Sequence, residues 1–233
     1  MSGSSMARFS PYDDADLMRK HVEDGQHRAV IGGMWDELGD LQLDFLKSCG
    51  LKPYHRFIDV GAGSFRAGVK LIPYLDAENY YAIDAQSSPL EAGYTHEIEK
   101  LGLAARFPRA NFAANACFDV LEFGQVFDFG IAQSVFTHMP IARLTDCLAA
   151  LAPYFRDKGS FFATVFLVGE NGVHGSVRHA QGGVVTTPNH DPFHTTEMAL
   201  RDVVRRSPDW RMEVIGNWNH PRDQQMLGFV RNG

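Results

Sequence analysis

The feature that most constrains this chain is the run Asp59-Val60-Gly61-Ala62-Gly63-Ser64-Phe65-Arg66. It closes the short β-prone segment Arg56-Phe57-Ile58-Asp59-Val60 and opens a helical stretch reaching Leu75. Glycines at the carboxyl end of a first strand permit a sharp turn and let the backbone and a helix N-terminus approach a ligand. The unit recurs: Tyr80-Tyr81-Ala82-Ile83 reads as a strand ending at Asp84, and Leu90 to Leu101 as a helix stopped by Gly102. Phe127 to Ala132 reads as a further strand, followed by a helix through Leu144, Leu148 and Leu151. Strands alternating with helices predict an α/β, doubly wound, mostly parallel sheet covered on both faces.

Before this core, Met34, Leu38, Leu41 and Phe45 recur at helical spacing, and Gly50 is a natural C-cap. After it, Ser160 to Val168 reads as a buried central strand and Thr195 to Arg206 as a helix with Thr195 at its N-cap. Met212 to Ile215 and Met226 to Val230 read as closing strands joined by the polar turn Asn219 to Asp223. Between Gly169 and His194 periodicity vanishes and five glycines accumulate, which predicts a lid loop over 169–194. The expected organisation is one domain over 31–233 after an extension over 1–30. The opening MSGSS, ahead of Met6, reads as an expression remnant and the rest of the extension as a cap.

Composition limits the partners. The 22 Lys and Arg against 28 Asp and Glu give net charge −6, which provides no general attraction to a polyphosphate backbone. Arg201, Arg205 and Arg206 read as a solvated helix face. Cys49, Cys117 and Cys147 are few, odd in number and unpaired by any CxxC spacing, which suits a reducing cytoplasm and excludes a disulfide framework or structural zinc. No segment reaches the ~18 consecutive apolar residues of a membrane span, so no membrane partner is expected.

The turn also selects its ligand. A dinucleotide fingerprint GxGxxG needs glycine at position 66, where this chain has Arg66. A pyrophosphate is therefore disfavoured, whereas Arg66 can meet a carboxylate. Asp84, at the end of the next strand, stands where a carboxylate accepts both ribose hydroxyls of an adenosine. An adenosine with an amino-acid end and no phosphate is S-adenosylmethionine. The bland readings are an ordinary strand-to-helix turn for Gly61 and Gly63 and a surface turn for Asp84.

At these residues the chain resembles the class I S-adenosylmethionine-dependent methyltransferases, from about Val30 to Arg231. The resemblance rests on FIDVGAGSFRAG (57–68), YYAIDA (80–85), FDFGIAQSVFTHM (127–139) and WNHPRDQQMLGFVR (218–231), and is strongest to a bacterial small-molecule type. It implies a Rossmann-like seven-stranded sheet of order 3-2-1-4-5-7-6 with strand 7 antiparallel. It also implies S-adenosylmethionine across the carboxyl ends of strands 1, 2 and 4, with S-adenosylhomocysteine as product. By position, Asp59, Gly61, Ala62, Gly63 and Arg66 would surround the methionine moiety, and Asp84 with Ala85 would hold the ribose. Asn115 and Ala116, after a third strand over Asn111 to Ala114, would lie at the adenine. Gln133 and Ser134 would lie by the sulfonium, Gln133 offering its carbonyl to the amino group. Many relatives have glycine where this chain has Phe65. Residues His27 to Gln42 read either as a cap on the cofactor or as a packing helix.

For the acceptor, strand 4 ends in Gln133-Ser134-Val135-Phe136 rather than the [DNS]PP[YFW] of amino-directed nucleic-acid methyltransferases. With the acidic balance, this predicts a small organic acceptor, no nucleic acid, and an O-methyltransferase. The alternatives are a protein or RNA methyltransferase and a non-catalytic cofactor-binding protein; a homodimer stays open. His138 is the candidate base, with a helix-capping role as its plain alternative. His174, His179, His190 and His194 gather near Asp191, but an irregular loop without cysteine does not predict a metal site. The expectation instead is that Phe193 and His194 face the substrate from a closing lid, with His194 as a second catalytic candidate.

Overall fold

The computed structural model describes residues 10–29 and 31–233; the opening MSGSS, Met6 and Val30, where the resemblance starts, lie outside the described residues. In chain order the elements are α1 (Ala15–Glu23), α2 (Trp35–Ser48), β1 (Phe57–Val60), α3 (Gly68–Tyr74), β2 (Tyr80–Asp84), α4 (Ser87–Gly93), β3 (Phe112–Ala114) and β4 (Phe127–Ala132). There follow α5 (Ala142–Leu151), β5 (Phe155–Leu167), β6 (Val177–Arg178), β7 (Val185–Thr186), β8 (His194–Thr195), α6 (Glu197–Arg206), β9 (Trp210–Asn217) and β10 (Gln225–Arg231). The main sheet runs β3-β2-β1-β4-β5-β10-β9, with β8 added beside the end of β5. β10 runs antiparallel to both of its neighbours, β5 and β9, and the other pairings of the main sheet are parallel. This is the expected order 3-2-1-4-5-7-6, β9 and β10 being its sixth and seventh strands.

The centre of the sheet forms because its strands have almost no wet face, whereas the edge strands β3 and β9 keep exposed residues. All four residues of β1 are buried, and they alternate: Ile58 and Val60 pack with Leu144, Leu148 and Phe161, whereas Phe57 packs with Leu71, Tyr80 and Phe162 on the other face. Each such side chain contributes roughly 1.5–3 kcal/mol by leaving water. Parallel strands covered on both faces read as unbroken apolar runs, which is why β1, β2 and β4 were legible.

One helix is new and two local expectations change. α1 has no apolar period to find: only Met18 is buried, and the helix is set by Asp14, whose carboxylate accepts from the Asp16 and Leu17 amides. The stretch from Leu90 to Leu101 is α4 continued by a π-helical turn (Tyr94–Glu99) before Gly102. α6 is capped by Thr196, whose hydroxyl accepts from the Ala199 amide, because Thr195 is committed to β8 beside Leu167. No helix among the described residues is long and apolar enough to cross a membrane.

Candidate active site

A cavity of about 680 Å³ opens over the carboxyl ends of β1, β2 and β4, and Asp59, Gly61, Ala62, Gly63, Arg66, Asp84, Ala85, Asn115, Ala116, Gln133, Ser134 and His138 all line it. Of the predicted site residues only His194 stands apart. The position of the cavity follows from topology, since β2 and β4 leave β1 in opposite directions and their following loops diverge.

The glycine turn is built for close packing. Gly61 and Gly63 have φ of +73° and +54°, and a Cβ on them would stand 2.4 Å from Val135 Cγ2 and 2.7 Å from Ile31 Cγ2. Its amides are spent internally: those of Gly61 and Ala62 donate to the Ile83 carbonyl, and that of Gly63 donates to Asp84 Oδ2 at 2.8 Å. Amides used this way cannot hold a pyrophosphate, so the turn suits a ligand that offers no phosphate here. Phe65 adopts a left-handed conformation that favours glycine, with φ +65°. That conformation costs about 1–2 kcal/mol. The fully buried ring, edge-on to Phe107 and Phe112, offsets it.

At one end of the cavity Asp59 and Arg66 are both buried. Tyr80 donates to Asp59 Oδ2 at 2.6 Å, yet burial pushes the Asp59 carboxyl up to about 7. Burial likewise lowers Arg66, to about 10. The Arg66 guanidinium donates to the Ile31 and Gly33 carbonyls and to Gln133 Oε1. The Gln133 carbonyl, expected to face a ligand amino group, is thus engaged by Arg66. Its amide nitrogen faces Ser134 and His220. Ser134 itself turns away, its hydroxyl donating to Gln224 Oε1 and its amide to Thr164. His220 is buried, stacks on Trp218, and is driven down to about 4 by burial and then by Arg66 and Arg222.

Toward the other end, Asp84 accepts from the Gly63 amide through Oδ2 and from the Gln86 amide through Oδ1, leaving lone pairs on both oxygens. Burial raises its carboxyl, against the pull of those amides. Asn115 folds its side chain back on Asp119. Arg143 donates to the Ala116 carbonyl and lies over the Phe118 ring, fixing this turn in front of β3.

His138 meets a partner far along the chain. Its Nδ1 lies 2.6 Å from Asp191 Oδ1, and Ser10 Oγ donates to Asp191 Oδ2 at 2.7 Å. The Tyr12 ring sits 4.6 Å from the imidazole. Nδ1 bound to a carboxylate leaves Nε2 as the basic nitrogen, and Nε2 has no partner among the described residues. The contacts of Asp191, Ser10 and Tyr12 with the His138 site escaped sequence reading, which set Asp191 only among the loop histidines, because nothing in their spacing to His138 signals contact.

The two residues expected to face the substrate from the lid are placed elsewhere. His194 lies in β8, buried, its Nδ1 2.8 Å from Thr186 Oγ1, and it does not line the cavity. Phe193 is buried beside it, its amide donating to the Thr137 carbonyl. Neither lines the cavity: β8 holds His194 beside Phe166 of β5, and Phe193 is bridged to Thr187. The segment 169–194 carries the β6–β7 hairpin and lines no part of this cavity. No group of three His, Cys, Asp or Glu suited to a metal occurs among the described residues. Instead, the cover comes from the chain before β1: Ser10, Tyr12, Asp13, Met18 and Ile31 line the cavity. This strap is fastened by Gln86 to the Tyr12 carbonyl, by Ser64 to the His27 carbonyl, by Arg222 to the Gly32 carbonyl, and by Glu97 to both His27 and Arg28.

No family model matches the chain, and no curated protein matches it. Solved structures do. The magnesium protoporphyrin IX methyltransferase of Synechocystis PCC 6803, crystallised with S-adenosylhomocysteine, is 14% identical, with 94% of this chain and 99% of that one covered at a TM-score of 0.60. An S-adenosylmethionine-dependent methyltransferase of Clostridium acetobutylicum is 10% identical over 94% and 100%, with a TM-score of 0.62. An O-methyltransferase family protein of Burkholderia thailandensis is 15% identical over 95% of this chain and 62% of that one, with a TM-score of 0.63. Sheet order, the cavity at the strand ends and these likenesses together give the chain the fold of the class I S-adenosylmethionine-dependent methyltransferases.

Proposed function

We propose that this protein is an S-adenosylmethionine-dependent methyltransferase acting on the hydroxyl of a small organic acceptor, with His138 as general base. The observation that carries the reading is the juxtaposition, on one cavity, of a phosphate-free cofactor cradle with His138, whose imidazole is paired from behind with Asp191. Bound there, S-adenosylmethionine supplies a methyl group on a sulfonium to an attacking nucleophile and leaves as S-adenosylhomocysteine. Asp84 accepts the ribose hydroxyls through its remaining lone pairs, and the turn over Asn115 and Ala116 flanks the adenine. Asp59 and Arg66 hold the methionine end. Asp191 fixes the His138 tautomer, so that Nε2 removes the acceptor proton as the oxygen is methylated; base catalysis of this kind contributes roughly 10²–10⁴-fold. Holding nucleophile and methyl in line supplies much of the remainder. Acceptor binding displaces Ser10 and Tyr12, which pack on the pair in the structure.

The solved neighbours lend support, being methyltransferases crystallised with the cofactor product or named as O-methyltransferases. A panel of hydroxylated, aminated and thiol acceptors, incubated with S-adenosylmethionine while S-adenosylhomocysteine release is followed, tests the reading. Turnover with hydroxyl acceptors is expected. Binding without turnover on any member would favour a non-catalytic role, and turnover confined to amines or thiols would remove the need for His138 as base.

A further inference from the structure

The inner face of α2 buries Leu38, Gly39, Gln42 and Leu46. A glutamine on that stripe is anomalous, because a buried amide without hydrogen bonds costs roughly 1–3 kcal/mol against an apolar residue. Gln42 is 3% exposed and lines the cavity, and its Oε1 has no hydrogen-bond partner among the described residues. Arg66, 7% exposed and on the same cavity, has the complementary gap: its two Nη groups are engaged, and its Nε has no partner.

The helix is placed to put these groups together. A Cβ on Gly39 would already stand 3.1 Å from the Arg66 carbonyl, so α2 runs close against residue 66. Lys70 bridges to Asp36 and Asp40 and pins α2 to α3. Gln42 lies one turn beyond Gly39 on the same face. The end of the cavity nearest α2 therefore holds an acceptor short of a donor, a donor short of an acceptor, and the Asp59 carboxyl. That set complements a zwitterion.

We propose that Gln42 is a cofactor-binding residue that recognises an α-amino-acid end, its side-chain carbonyl accepting from the ligand's ammonium while Arg66 meets the carboxylate. The proposal rests on the cofactor reading above and deepens it, because it assigns α2, which precedes the core sheet, a part in choosing the ligand.

The test compares S-adenosylhomocysteine with 5′-methylthioadenosine, which keeps the nucleoside and lacks the amino-acid end, by calorimetry on the full chain. Gln42→Met, of similar volume, should weaken S-adenosylhomocysteine roughly ten- to hundredfold, the range for a hydrogen bond to a charged group, and leave methylthioadenosine unchanged. Its Tm should hold or rise, since an unsatisfied buried amide is gone. Gln42→Glu keeps an acceptor oxygen and should keep the preference for S-adenosylhomocysteine. Unaltered S-adenosylhomocysteine affinity in Gln42→Met, or an equal loss for both ligands, overturns the proposal and leaves the cofactor reading standing. If the unmutated protein binds neither ligand, the cofactor reading fails first and this one with it.

Discussion

Gly61→Ala tests how tightly the cofactor turn is built. The substitution incurs two costs that the structure separates. One is the left-handed backbone at φ +73°, worth about 1–2 kcal/mol for any residue with a Cβ. The other is the collision of the new Cβ with Val135 Cγ2 at 2.4 Å. Val135 follows β4 by three residues and packs against the buried core, so it has little room to give; overpacking of this kind costs typically 1–3 kcal/mol. The expected destabilisation is about 2–5 kcal/mol. Gly102→Ala is the control, because Gly102 has φ +69° and nothing within 4 Å of its Cβ position, so it carries the backbone cost alone. Urea denaturation followed by circular dichroism measures both, and equal m-values license the comparison. If Gly61→Ala is no more destabilising than Gly102→Ala, the turn is looser than described and its fit to one ligand cannot be argued from packing.

Asp191→Asn should lower kcat by ~10²–10⁴ at saturating acceptor, since an amide no longer enforces the tautomer that leaves Nε2 basic, with S-adenosylhomocysteine affinity retained; near-normal turnover would make the pair structural. Asp84→Ala should weaken S-adenosylhomocysteine by roughly 1.5–3 kcal/mol in calorimetry, the cost of losing bonds to a charged acceptor, and unchanged affinity would remove Asp84 from the site. His220, held near 4 in the folded protein against an ordinary 6.5, takes up its proton on unfolding between those values. It therefore costs stability as pH falls from about 6.5 to 4, by about 3 kcal/mol in all, and His220→Gln should flatten that part of the Tm-against-pH curve. An identical slope in the variant would refute the assignment. Finally, hydrogen exchange should find the amides of Thr187, Phe193 and His194 protected without any ligand, since each donates to a backbone carbonyl in the structure; fast exchange there would restore the lid reading.

What the sequence by itself determined is local. Apolar runs such as Phe57 to Val60 and Tyr80 to Ile83, each followed by a helix, specify strands buried on both faces, and the handedness of such crossovers leaves few sheet orders open. Gly61, Gly63 and Asp84 were legible because turn chemistry and a strand-end acid act within one β-α-β unit. The tertiary structure decided everything that joins distant segments. His138 and Asp191 are 53 residues apart, and Ser10 and Asp191 are 181 apart, with no period connecting them. β8, only two residues long, carries no alternation to read, so the burial of His194 followed from its pairing with β5, and that of Phe193 from its bridge to Thr187. α1 and the strap hide for the same reason: their side chains are polar by count, and only contact with the cavity shows what they cover. Local pattern records whether a side chain leaves water, whereas a site also depends on which side chain it then meets, and that is fixed by the packing of the whole chain.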